Sequence, residues 1–293
     1  MKTSKIIAVV GPTGSGKSAL GAYLAHKLGG ETISADSRQV YRGMRVISRA
    51  ERGNMVGIAD PRRQFSAGAY KKYAEKLLKQ IRVPIVVGGT GFYIDLLLGR
   101  MHAPEVPPNK KLRAALAKLS NKQLLARLRK LNPKRAAEVD PHNKVRLVRA
   151  IEVAKGVAEQ KVLNRATDHA SRRPKERGEK LFAKPKVLWL GLKQPKNLRA
   201  GVETRLRDGM VAEARALRKS LPRRRYSELG FEFNALAEYL DKKISKTELV
   251  DKIANGERKY ALRQMRWFKR NKSIRWVSSK SEALWLAKKF LKS

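Results

Sequence analysis

The chain has 293 residues, 42% of them hydrophobic and none of them cysteine, with 67 Lys and Arg against 25 Asp and Glu, a net charge of +42. Disulfides, thiolate metal sites and cysteine nucleophiles are thereby excluded, and no run approaches the roughly 18 uninterrupted apolar residues of a membrane-spanning helix. A mean hydropathy of -0.50 and this length fit a globular protein with one large domain, or a core carrying a smaller one. Such an excess of positive charge repels itself, and a polyanionic partner, nucleic acid foremost, is the natural counterweight. A solubility bias that coats every exposed face with Lys and Arg is the other reading.

In chain order, 1–5 leads straight into a β-branched apolar run at 5–10 that Gly11-Pro12 breaks. This is unlike a signal peptide, and a cytoplasmic protein is expected. A Gly-rich turn follows, then a helix over 17–28, a short strand over 31–35, a helix over 69–81 with Tyr70, Tyr73, Leu77 and Leu78 on its apolar side, and a strand over 84–87. Gly88-Gly89-Thr90-Gly91 turns the chain into a helix over 92–98. Short apolar strands alternating with helices predict a parallel sheet covered on both faces. The Pro-rich stretch 103–108 reads as a linker into helices at 109–119, 121–131 and 133–139. A longer helix follows, with Asp140 as N-cap and Pro141 at its first position. The basic stretch 156–185 reads as flexible. A strand at 186–192, helices at 198–219, 232–240 and 246–268, and a last strand at 274–277 complete the pattern. The expected architecture is an α/β core of 1–105 and 176–293 interrupted by an all-helical insertion at 106–175.

Gly11-Pro12-Thr13-Gly14-Ser15-Gly16-Lys17-Ser18 matches the P-loop pattern in its required place between strand and helix. Its backbone N–H groups and the helix N-terminus suit phosphate oxygens, Lys17 suits the terminal phosphate, and the Ser18 hydroxyl suits Mg²⁺. By itself the loop specifies a diphosphate or triphosphate and leaves kinases and NTPases open. Asp36 falls at the C-terminal end of the second strand, the edge where open parallel sheets bind ligands, so it is expected to face the same crevice as Lys17. The four histidines, His26, His102, His142 and His169, have no metal-ligand spacing.

Ser34-Ala35-Asp36-Ser37-Arg38-Gln39-Val40-Tyr41-Arg42-Gly43-Met44, directly after a P-loop, resembles the signature of the bacterial tRNA dimethylallyltransferases (tRNA isopentenyltransferases). Five further stretches resemble the same family in the same order: 84–94 around Gly88-Gly89-Thr90-Gly91, 140–153 around Arg146 and Arg149, 205–213 from Arg205 to Glu213, 229–232, and 260–268. The resemblance spans almost the full length. It implies transfer of a dimethylallyl group from dimethylallyl diphosphate to the N6 amine of the adenosine next to the anticodon of tRNA, with Mg²⁺. An allylic diphosphate ionises readily, so stabilising the departing diphosphate and shielding the cation from water are the main tasks.

By the same resemblance the catalytic residues are Asp36 as base, with Thr13, Lys17 and Arg205 about the diphosphate. Gly11 through Ser18 cradle that diphosphate. Asp36, Ser37, Arg38, Gln39, Thr90, Arg146 and Arg149 contact the tRNA around a base presented out of its stack. The helical insertion, with Lys110, Lys111, Arg113, Arg127, Arg129, Lys134 and Arg135, is expected to hold the anticodon stem through phosphates. Trp267 and Phe268 read as core anchors, with stacking on RNA as the alternative. A monomer is expected, without the zinc-finger extension of eukaryotic relatives.

The match departs after Met44, where the family has Gly-Thr-Ala/Gly-Lys and this chain has Arg45-Val46-Ile47-Ser48-Arg49-Ala50-Glu51. Two rivals stay open: a small-molecule P-loop kinase or NTPase, disfavoured because the strand 84–87 ends in glycines where a Walker B Asp belongs, and an RNA-binding relative whose catalysis has lapsed.

Overall fold

The computed structural model describes residues 5–51, 53–102, 104, 106–168, 185–193 and 197–293. The chain forms two compact units, Met1–Met101 with Phe182–Ser293, and His102–Leu181.

The first unit begins with β1 (Lys5–Val10), α1 (Lys17–Leu28), β2 (Glu31–Ser34), α2 (Ala67–Gln80), β3 (Pro84–Gly88) and α3 (Gly91–Leu97). Helix α2 starts at Ala67 because the Ser66 hydroxyl accepts a hydrogen bond from the Ala69 N–H. Tyr70 and Ala74 are its buried residues, while Tyr73, expected inside, is 54% exposed.

The second unit holds α4 (Lys110–Ala117), α5 (Asn121–Leu131), α6 (Pro133–Glu138) and α7 (Lys144–Asp168). Leu116, Leu124, Leu128, Leu147 and Ile151 are fully buried in its core, each contributing ~1.5–3 kcal/mol. The expected cap at Asp140 is displaced. Asp140 accepts the His142 N–H in a turn, and Asn143 instead accepts from Arg146 N at 3.1 Å, so α7 starts at Lys144. Of the stretch read as flexible, 156–168 continues α7, and 169–184 lies outside the described residues.

The first unit resumes with β4 (Lys186–Gly191), α8 (Leu198–Arg207), α9 (Met210–Ser220), α10 (Arg223–Glu228), α11 (Phe231–Leu240), α12 (Lys246–Phe268), β5 (Arg275–Trp276) and α13 (Lys280–Lys292). The single helix expected over 198–219 is broken between α8 and α9, where Gly209 takes φ 99° in the left-handed region. Helices α10 and α13 were not foreseen.

The five strands are all parallel, in the order β2-β3-β1-β4-β5. β1 feeds two cores by simple alternation: Ile6, Ala8 and Val10 pack with α2 and α3, and Ile7 and Val9 with α1 and α13. A third apolar cluster joins α8, α9, α11 and α12 to Met44 and Ile47. Among the described residues no helix is long and apolar enough to cross a membrane.

Candidate active site

Register places the motifs on one edge of the sheet. Val10 lies opposite Gly88 and Gly191, and Ser34 opposite Val87, so the loops after β1, β2 and β3 all leave at the carboxyl end, beside the strand where the sheet order reverses. The approach there is close enough to require glycine. A Cβ on Gly88 would lie 2.1 Å from the Ala35 carbonyl oxygen, and one on Gly11 2.8 Å from Ser15 Oγ and 2.9 Å from the Leu192 carbonyl. Gly14 and Gly16 take φ of 73° and 84°, which turns the loop into the N-terminus of α1.

Lys17 is 9% exposed and its Nζ donates to the Pro12 carbonyl at 3.1 Å. Burial pushes its ammonium down from the usual lysine range, the Asp36 charge pushes it back up, and Arg49 pushes it down again. Lys17 and Asp36 are therefore within electrostatic reach of each other at the carboxyl edge of the sheet. The Ser15 hydroxyl of the same loop is buried without a partner among the described residues.

After β2, Asp36 Oδ1 accepts the N–H of Arg38 at 2.9 Å and of Gln39 at 3.4 Å, an Asx-type turn. The Ser37 N–H donates to Thr90 Oγ1 at 2.9 Å, tying this turn to the N-terminus of α3. Tyr260, whose ring lies under the Arg38 guanidinium, is pushed up to about 12 by burial and then by the Asp36 charge. Asp36, Ser37 and Thr90 thus come together with Tyr260.

Arg38 and Gln39 are engaged differently from the sequence expectation. Arg38 pairs with Glu232 of α11 and packs over the rings of Phe231 and Tyr260, at 5.1 and 5.2 Å. Gln39 faces inward, accepting from Ser34 Oγ at 2.7 Å and donating to the Ser48 carbonyl at 3.1 Å, so its amide braces the segment after Met44. That rewritten segment is well held. Val46 and Ile47 donate their N–H groups to the Glu213 carboxylate at 3.0 and 2.7 Å.

Helix α12 crosses over the loops and contributes residues to which the sequence assigned no role. Gln264 accepts the Thr13 N–H at 2.8 Å and donates to the Gly89 carbonyl at 2.8 Å, joining the P-loop to the Gly-Gly turn. Two turns earlier Glu257 receives Arg205 at 2.5 Å and Arg49 at 3.1 Å. Arg205, expected to close over the diphosphate, is only 4% exposed and also donates to the Ile47 and Gly201 carbonyls at 2.8 and 3.1 Å. Burial lowers its pKa against the pull of Glu257. A signal for these residues was present in the sequence: Glu257 and Gln264 are polar positions in the otherwise apolar buried stripe Leu249, Ile253, Ala261, Phe268. Trp267 donates its Nε1–H to Asp95 at 2.8 Å and Phe268 is buried, so both anchor the helix.

In the helical unit, Arg113 and Arg149 both turn to Glu152, at 2.7 and 2.5 Å, and Arg149 also donates to the Val106 carbonyl. Burial alone would raise the Glu152 carboxyl, but hydrogen bonds from Arg113, Arg149 and the Asn109 N–H hold it down at about 2. Arg149 is thus a partner of the fold first. Arg146, Arg127, Arg129, Lys110, Lys111 and Lys134 are exposed.

The chain resembles known proteins along nearly its whole length. It is 31% identical to tRNA dimethylallyltransferase 1 of Geotalea uraniireducens (strain Rf4), covering 98% of this chain and 97% of that protein. It is 33% identical to the tRNA dimethylallyltransferase of Anaeromyxobacter sp. (strain K), with the same two coverages. The crystal structure of the tRNA isopentenylpyrophosphate transferase from Bacillus halodurans superposes with a TM-score of 0.65 at 26% identity, covering 99% of this chain and 96% of that one. A eukaryotic dimethylallyltransferase acting on tRNA shares the fold, with a TM-score of 0.71 at 22% identity over 91% of this chain and 70% of that one. Residues 39–271 match the model of the IPP transferases, and the chain belongs to that family.

Proposed function

We propose that the chain transfers a dimethylallyl group from dimethylallyl diphosphate to the N6 amine of the adenosine beside the anticodon of tRNA, releasing diphosphate. The observation that supports this reading is that the phosphate-binding loop with its buried Lys17 and the turn bearing Asp36 leave the same carboxyl edge of the sheet. The N6 lone pair attacks C1 of the allyl group as the C1–O bond to diphosphate breaks, and the N6 proton passes to Asp36. Backbone N–H groups of Gly14 and of Gly16 to Ser18, the side chain of Thr13 and the ammonium of Lys17 receive the charge that develops on the leaving oxygens. Arg205 adds its positive charge from the buried layer behind.

Among the described residues no three His, Cys, Asp or Glu side chains gather to hold a metal by themselves. The Ser18 hydroxyl at the start of α1 fits a cation whose other ligands are phosphate oxygens and water, the usual manner of Mg²⁺. Ser18 would hold it, and bound there it supplies charge neutralisation for the diphosphate. Ser37, Arg38 and Thr90 line the acceptor side beside Asp36, with Gln39 supporting them. The helical unit, through Arg146 and its exposed Lys and Arg, grips the anticodon stem, with Arg149 set by Glu152. The protein acts as a monomer in the cytoplasm. Supplying dimethylallyl diphosphate and ATP separately to enzyme and tRNA tests the assignment. Prenylated adenosine is expected only with the former, and ATP hydrolysis without prenyl transfer overturns it.

A further inference from the structure

The rewritten segment after Met44 brings to the crevice a cation that no motif signals. Arg49 adopts φ 53°, in the left-handed region that a side chain rarely occupies, and Gln39 Nε2 lies 3.4 Å from its carbonyl oxygen and 3.1 Å from that of Ser48. Its guanidinium lies against Gly201 of α8, where any Cβ would come within 2.6 Å of Nη2. The backbone and the bare glycine together aim this side chain at Glu257.

The two arginines that share Glu257 are in different situations. Arg205, with a side chain 5% exposed, gives its donors to Glu257, Ile47 and Gly201. Arg49, with a side chain 27% exposed, has a single side-chain hydrogen bond among the described residues, from Nη2 to Glu257 Oε2 at 3.1 Å. A guanidinium carries five N–H donors in a fork that matches phosphate oxygens, so most of those of Arg49 remain to be satisfied.

We propose that Arg49 is a further diphosphate-binding residue of the donor site, held in place by Glu257 and presenting its remaining N–H donors to the leaving group beside Lys17. Arg205 and Glu257 are then positioning residues for Arg49. Arg49 stands beside Gln39 in the loops at the carboxyl edge of the sheet, the helix that holds its partner Glu257 also reaches Thr13 of the P-loop through Gln264, and the Arg49 charge accordingly lowers the Lys17 ammonium. A diphosphate between the two cations converts that repulsion into joint attraction. This proposal rests on the diphosphate reading of the P-loop.

Calorimetric titration of the full chain with inorganic pyrophosphate and Mg²⁺ separates the two. Arg49→Ala is expected to weaken binding about tenfold to a hundredfold, the worth of a charge-assisted hydrogen bond, and Arg49→Lys to restore much of it. In prenyl transfer Arg49→Ala raises KM for the diphosphate donor and leaves KM for tRNA unchanged, a split that mere loosening of the fold does not produce. Melting curves of the variants establish that they are folded, and Arg49→Gln, which keeps a polar side chain and removes the charge, decides the matter by the same loss of pyrophosphate binding if the alanine variant is not. If Lys17→Ala abolishes pyrophosphate binding while Arg49→Ala leaves it intact, Arg49 has no such role and the P-loop reading stands. A rise in KM for tRNA in place of the donor also overturns the proposal, and failure of the unaltered protein to bind pyrophosphate overturns both.

Discussion

Replacing Asp36 by Asn isolates the chemistry from the fold. The Oδ1 atom that receives the Arg38 N–H at 2.9 Å and the Gln39 N–H at 3.4 Å is present in both side chains, so the turn after β2 persists and stability changes by less than about 1 kcal/mol. What disappears is the charge and the capacity to take a proton. Loss of a positioned base costs about 10²–10⁴ in kcat, or ~3–5 kcal/mol of barrier, while the Kd for tRNA stays near that of the unaltered protein. A second consequence follows at Lys17. Asp36 raises the lysine pKa against burial, so in Asp36→Asn the ammonium loses its proton at lower pH, and the alkaline limb of donor binding moves toward neutrality. Single-turnover prenyl transfer, tRNA binding by filter retention and the pH profile of donor affinity read the three effects. A variant that turns over within tenfold of the original refutes the assignment of Asp36 as base.

Gln264→Leu deprives the Thr13 N–H and the Gly89 carbonyl of their partner. It is expected to cost about 2–4 kcal/mol in denaturant unfolding and to raise KM for the donor, because two loops of the crevice lose their tie. Glu257→Gln leaves the Arg205 guanidinium, 5% exposed, without its carboxylate, and ~3–5 kcal/mol of stability is expected to be lost. In the helical unit the Glu152 carboxyl is held down at about 2, below its unfolded value of about 4.3. The stabilisation it gives is therefore present above about pH 4.3 and is lost as the pH falls toward 2. Its arginine partners are 37% and 39% exposed, so Glu152→Gln is expected to cost only about 1–3 kcal/mol at neutral pH. Hydrogen exchange of the 110–159 amides follows both effects. Affinity for tRNA is expected to fall by about 10³–10⁵ between 50 and 200 mM salt if roughly six to ten phosphates are contacted; a flat response would separate the +42 charge from RNA binding.

The sequence by itself determined what local rules govern. β-branched runs, the P-loop glycines and apolar periodicity are read within a few positions of where they act, so β1, α1, α5 and α12 were legible nearly to the residue. The Ser-Ala-Asp-Ser-Arg-Gln signature likewise marked the β2 loop. Local reading failed where one residue has two plausible parts: Gly209 breaks a helix that periodicity runs through, and Asn143 takes the cap that suits Asp140. Only the tertiary structure decided which polar groups meet across long separations. Gln264 reaches Thr13, and Arg205 and Arg49 meet on Glu257. Partners so far apart in the chain leave no spacing to read, because the sheet order and the path of α12, and not sequence distance, bring them within hydrogen-bond reach.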